Sequence, residues 1–172
     1  MAIAAGALVS RALGAGDGEL ARRRATNTLI YGILFGVIFA GVVWSNLEYL
    51  SALMGASGET LDLSVSYLAI IIPSLPLLIF GMVGSAILRA YGDARRAMMA
   101  TVWGGVVNAV LDPILIFGLD LELTGAALAS VAARCAIAWF GIMPLIRHHQ
   151  ALSAPRDVAH DLMPVAAIAA PA

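Results

Sequence analysis

One carboxylate, Asp112, stands inside the otherwise uncharged run between Arg96 and Asp120. A carboxylate at the centre of a bilayer costs about 2.5–3.5 kcal/mol on insertion scales, so it has to face a cavity or a partner. Asn108 precedes it by four residues, a spacing that puts amide and carboxylate on one helix face. Oxygen donors of this kind suit a proton or a hard cation such as Na⁺. Pro113 follows directly. It has no N–H, so it leaves the carbonyl of Ala109 without a helical donor and predicts a kink. Carboxylate, amide and freed carbonyl together form a candidate cation nest.

The next run, between Glu122 and Arg147, also holds one charge, Arg134. A short connection near residues 118–123 makes the two runs a hairpin. Pairing outward from residue 119 or 120 sets Asp112 opposite Ala127 and Asn108 opposite Val131. Ser130 then lies at the level of the Asn108–Asp112 pair, and Arg134 one turn deeper. Arg134 has two readings, an ion pair with Asp112 that ties two helices or a side chain that snorkels toward the near surface. Pro73, Pro76 and Pro144 are further expected kinks, freeing the carbonyls of Ala69, Ile72 and Phe140.

These residues need elements that cross a membrane. The chain has 172 residues, 61% hydrophobic and 12% charged, with a mean hydropathy of +0.92. Soluble domains are roughly 45–50% apolar and about 25% charged, and a soluble ball of this size could not hide so much apolar surface. Runs of 23, 26, 23 and 24 residues lie between Arg24 and Glu48, Asp62 and Arg89, Arg96 and Asp120, and Glu122 and Arg147. Each is long enough to cross a core that takes about 20 helical residues. An all-α polytopic bundle follows, with full spans near 26–47, 64–88, 97–117 and 124–146. Residues 1–10 and 162–172 are apolar but too short to span, which suggests a segment of a longer membrane protein.

All ten basic residues are arginines. Nine fall in the stretches 11–25, 89–96 and 147–161, and none in the connections near 45–63 and 118–123, which carry Glu48, Glu59, Asp62, Asp120 and Glu122. By the positive-inside rule the arginine-bearing loops are cytoplasmic, in a multi-pass protein of the cell membrane. Gly14, Gly16 and Gly18 have no strand before them to make a dinucleotide loop. No P-loop, HExxH or GxSxG occurs, so no enzyme or cofactor is expected. A basic nucleic-acid surface is excluded. Cys135 reads as a small apolar residue, and His148, His149 and His160 as solvated loop residues rather than a metal site. Arg11–Asp17 and Arg89–Asp93 echo one another. In each, Gly ends an apolar segment and Asp can cap the next helix.

Several runs resemble the MATE (multidrug and toxic compound extrusion) family. Gly6-Ala-Leu-Val-Ser-Arg-Ala-Leu-Gly-Ala-Gly-Asp17 is similar to its second helix and first inner loop. Leu88-Arg-Ala-Tyr-Gly-Asp93, followed by Ala97-Met98, looks like the end of its fourth helix. Asn108-Ala-Val-Leu-Asp-Pro-Ile-Leu-Ile-Phe-Gly118 resembles its fifth, Gly125-Ala-Ala-Leu-Ala-Ser130 its sixth, and Pro164–Ala172 the entry to its seventh. The resemblance implies a twelve-helix, two-lobed antiporter that exchanges H⁺ or Na⁺ for organic, often cationic, compounds. This chain would hold most of the first lobe in residues 1–147, an inter-lobe linker in 148–161 and the start of the second lobe in 162–172. Helix one and the rest of the second lobe would be its missing partners, alongside lipid and a small organic substrate. In related members the first-lobe cation site uses an Asn and an Asp on helix five, a Thr on helix six and an Asp on helix one. Asn108 and Asp112 match, Ser130 stands in the Thr position, and the helix-one Asp has no counterpart. An exporter of lipid-linked cargo or a non-transporting structural protein are the alternatives.

Overall fold

The computed structural model describes residues 1–152, and among these every regular element is helical. In chain order they are α1 (Ala2–Gly14), α2 (Gly18–Trp44), α3 (Leu47–Leu53), α4 (Glu59–Ile71), α5 (Leu75–Ala90), α6 (Ala94–Pro113) and α7 (Glu122–Arg147). A 3₁₀ turn, Ile72–Ser74, joins α4 to α5, and a π turn, Ile114–Gly118, extends α6. Four helical stretches are long and apolar enough to cross a membrane: Gly18–Trp44, Glu59–Ala90, Ala94–Gly118 and Glu122–Arg147.

Glu59–Ala90 and Glu122–Arg147 overrun the charge-free stretches at both ends, and Gly18–Trp44 and Ala94–Gly118 at their starts. Helices can extend past the apolar core because arginine stems lie along the barrel and carry their heads to water. Thus α2 takes in Arg22, Arg23 and Arg24 and begins where the Asp17 carboxylate accepts the Leu20 N–H at 2.9 Å. It stops at Trp44, three residues short of the expected 47. There the Ser45 hydroxyl and the Asn46 amide donate back to the carbonyls of Gly41 and Val42, each at 2.8 Å. The expected linker 148–161 is described only to residue 152, and the expected second-lobe start at 162–172 lies outside the described residues.

Both turns at the arginine-rich end are built alike. Gly16 and Gly92 take left-handed φ values of +76° and +81°, where a Cβ would be strained. The N–H groups of Asp17 and Asp93 reach back five residues to the carbonyls of Ala12 and Leu88, and each aspartate then caps the next helix. The echo in the sequence is thus one local design used twice.

The core lies at this end, where Val9, Val83, Ile87, Leu88 and Leu145 are fully buried. Helix α1 buries Ala4, Ala5, Leu8, Val9 and Ala12 against α2 and α5. Helices α5 and α7 cross backbone to backbone: a Cβ on Gly84 would sit 2.9 Å from the Gly141 carbonyl oxygen, and one on Gly141 at 2.9 Å from that of Gly81. Small residues permit this approach, and dispersion at close range then holds the helices together. Helix α6 buries only Ala97, Ala100 and Gly104 and leaves Val102, Trp103, Val106 and Val110 exposed.

Candidate cation site and the broken span

The α6–α7 hairpin sets the level of the candidate site. At Gly104 a Cβ would overlap the Ile137 side chain and lie 3.3 Å from the Ala133 carbonyl oxygen; at Gly125 it would lie 2.7 Å from the Leu115 carbonyl. These two backbone approaches bracket Asn108 and Asp112 and put them level with residues near 127–132, as the sequence pairing predicts. Asn108 Nδ2 lies 3.4 Å from Asp112 Oδ1, so the four-residue spacing does bring amide and carboxylate together on one face. Both residues are half-buried. Ser130 is half-buried at the same level, but no hydrogen bond joins it to either of them among the described residues.

Below the pair the backbone departs from the α pattern. Pro113 cannot donate to Ala109, and the N–H of Ile114 turns to Leu111, three residues back. The Leu119 N–H then reaches five residues back to Ile114, which defines the π turn. The expected disturbance at Pro113 is therefore present, and it loosens carbonyls within one turn of Asp112. At Pro144, whose ring leaves the Phe140 carbonyl without its helical donor, helix α7 continues to Arg147 without a change of helix type.

Arg134 is a correction. Its guanidinium makes no ion pair with Asp112. Instead Nη1 donates to the Ile71 carbonyl at 2.8 Å and to Ser74 Oγ at 2.7 Å. Its partner is the broken span α4–α5, and the reason lies in the prolines. Pro73 frees the Ala69 carbonyl, which takes the Trp44 indole N–H at 3.3 Å. Pro76 frees the Ile72 carbonyl, and the Leu75 N–H shifts to it, making the 3₁₀ turn. That shift orphans the Ile71 carbonyl, and Ser74 Oγ (2.7 Å) and Arg134 satisfy it. A buried carbonyl has to find such donors. Trp44 and Ser74 were missed in the sequence, although Trp at a span end beside a proline-broken helix was the available signal.

His149 is a second correction: expected as a solvated loop residue, it folds back onto the turn before α6. Its Nε2 lies 3.0 Å from Asp93 Oδ2, and its ring packs on Tyr91 with centroids 5.3 Å apart. Burial works to raise the Asp93 carboxyl, but the hydrogen bonds from Arg96 and His149 and the Arg96 charge outweigh it and hold Asp93 at about 2. Burial pushes the Tyr91 phenol up, opposed by Arg22.

With this geometry in hand, the MatE family profile matches residues 1–114. The chain belongs to the MATE family. Multidrug export protein MepA of Staphylococcus aureus (strain bovine RF122 / ET3-1) is 33% identical over 151 residues, 88% of this chain and 34% of MepA. MepA of Staphylococcus haemolyticus is 31% identical over 88% of this chain and 33% of its own length. Among solved structures, an inward-facing multidrug resistance MATE transporter of the MOP superfamily aligns with a TM-score of 0.83 at 30% identity, covering 95% of this chain and 39% of that one. MATE in a bent conformation aligns at 0.85, with 30% identity, 94% of this chain and 38% of that one. This MATE chain therefore spans about a third of the length of the curated relatives it matches. Its all-helical bundle of membrane-crossing helices is the fold that the family resemblance implies.

Proposed function

We propose that this chain supplies first-lobe helices to a secondary antiporter that exports organic, drug-like compounds in exchange for H⁺ or Na⁺ by alternating access. Asp112 is the coupling carboxylate, Asn108 its adjacent amide oxygen and Ser130 the hydroxyl contributed from α7. The observation that carries the reading is the intramembrane Asn108–Asp112 pair at 3.4 Å, set beside a proline-loosened backbone. The relatives' designation as multidrug export proteins supports the cargo class. Related structures exist in inward- and outward-facing conformations, and this supports alternating access. The ion couples to export only by binding one of those conformations better than the other. The arginine-rich loops 11–25, 89–96 and 147–161 face the cytoplasm in this reading, in the cell membrane.

The test is efflux from cells that express the transporter containing this segment, with and without Asp112→Asn. Loss of ion-coupled efflux at unchanged membrane abundance is expected. Undiminished coupled efflux rules out the role of Asp112.

A further inference from the structure

Arg134 sits at the middle of its span, 12 residues after Glu122 and 13 before Arg147. A guanidinium has five N–H donors. Two are engaged, both on Nη1; among the described residues nothing accepts from Nε or Nη2, and no carboxylate pairs with Arg134. The three remaining N–H donors at bilayer depth call for acceptors, which a water-filled cavity would supply.

The structure contains a polar route for water. Thr60, Ser64, Tyr67, the Ile71 carbonyl and Ser74 follow one another at four- and three-residue spacing, so they form one stripe along α4 and across the break. Burial deepens along the stripe: Thr60 is exposed, Ser64 and Tyr67 are half-buried, and Ile71 and Ser74 are buried. At its outer end, Ser51 of α3 joins Thr60, Ser64 and Tyr67 around a cavity of about 470 Å³. The Ser51 hydroxyl is buried and has no hydrogen-bond partner. The hydroxyls of Thr28 and Ser45, by contrast, turn back onto backbone carbonyls of their own helix. The Ile71 carbonyl and Ser74 hydroxyl at the inner end of the stripe accept from Arg134, so the stripe reaches the guanidinium.

We propose that the cavity and stripe are a water-filled crevice, open at the arginine-free face of the bundle, that hydrates Arg134 and the break it clasps. Its occupant is water, which bridges otherwise unsatisfied polar groups in roomy polar cavities. The proposal is independent of the role given to Asp112.

Cysteine accessibility tests it. In a Cys135→Ser background, the whole chain in membrane vesicles carries single substitutions Ser64→Cys, Ser74→Cys, Ser66→Cys or Ser57→Cys. Each is treated with a charged, membrane-impermeant methanethiosulfonate on one face at a time. Ser57 lies in the exposed α3–α4 connection and marks the arginine-free face; Ser66 has the depth of Ser64 and Tyr67 but lies off the stripe. Because the thiolate is the reactive species, cysteines at 64 and 74 are expected to react at least about tenfold faster than one at 66, from the face at which position 57 reacts. Adding Arg134→Met is expected to slow position 74 and leave 64 unchanged. Positions 64 and 74 as slow as 66, or 64 fast with 74 inert, overturn the proposal. So does reaction from the opposite face alone.

Discussion

Gly104 and Gly105 are neighbours on α6, and the same substitution at each should act with opposite sign. At Gly105 a Cβ meets nothing within 4 Å. At Gly104 it overlaps Ile137 and crowds the Ala133 carbonyl oxygen at 3.3 Å. Replacing a mid-helix glycine by alanine gains about 0.5–1 kcal/mol through reduced backbone freedom, and both sites share that gain. Overpacking adds a cost of about 1–3 kcal/mol at Gly104 alone. The backbone gain cancels in the comparison, so Gly104→Ala should be less stable than Gly105→Ala by about 1–3 kcal/mol. For chains of this size a kcal/mol moves Tm by roughly 2–4 °C, giving a gap between the variants of about 2–12 °C. Loss of helical circular dichroism on heating the detergent-solubilised protein measures it. The result also reaches the candidate site, because Asn108 lies one turn beyond Gly104 and its level depends on this close approach. Equal midpoints, or Gly104→Ala the more stable, would refute the packing that places Asn108 and Asp112 against α7.

Further expectations follow from the hydrogen bonds. Stability measured for Arg134→Met, Ser74→Ala and the double variant should show coupling of about 0.5–3 kcal/mol, whereas Arg134→Met with Asp112→Ala should be additive. The reverse pattern would restore the ion pair. Trp44→Phe should cost about 1 kcal/mol by leaving the Ala69 carbonyl without its indole donor; no loss in thermal stability means lipid or water replaces it. Asp93 is held at about 2, below its ordinary 3.8, so its stabilisation is full above about 3.8 and is lost as pH falls toward 2. Thermal midpoints between pH 5 and pH 2 should therefore fall more steeply in the wild type than in Asp93→Asn.

The spans were legible because lipid imposes a length and tolerates few charges, and four runs met both conditions. The hairpin register was legible too: a short connection leaves α6 and α7 little freedom to slide, and Gly104 and Gly125 pin it. Helix ends were harder to read, since Arg22–Arg24 and Arg95–Arg96 sit inside helices that a count of uncharged residues stops short of. The partner of Arg134 was not legible for a different reason. The sequence identifies Ala69 and Ile72 as the carbonyls that lose donors to Pro73 and Pro76. In the fold, both are supplied from elsewhere, and the orphan is displaced to Ile71. Hydrogen-bond debts move along a backbone, and local spacing records only where they start.

The two glycine–aspartate corners have a mechanical consequence. At the arginine-rich end the corners satisfy their own backbone groups and cap the following helices, so neither has slack to yield. The departures from α geometry in the spans lie elsewhere, at Ile72–Ser74 in mid-span and at Ile114–Gly118 beyond Asp112. Asp120 and Glu122 next to the π turn take left-handed φ values of 51° and 45°. The bundle is thus built like tongs, with its regular corners at one surface and its departures from α geometry in mid-span and toward the other, and Asp112 lies next to one of these departures.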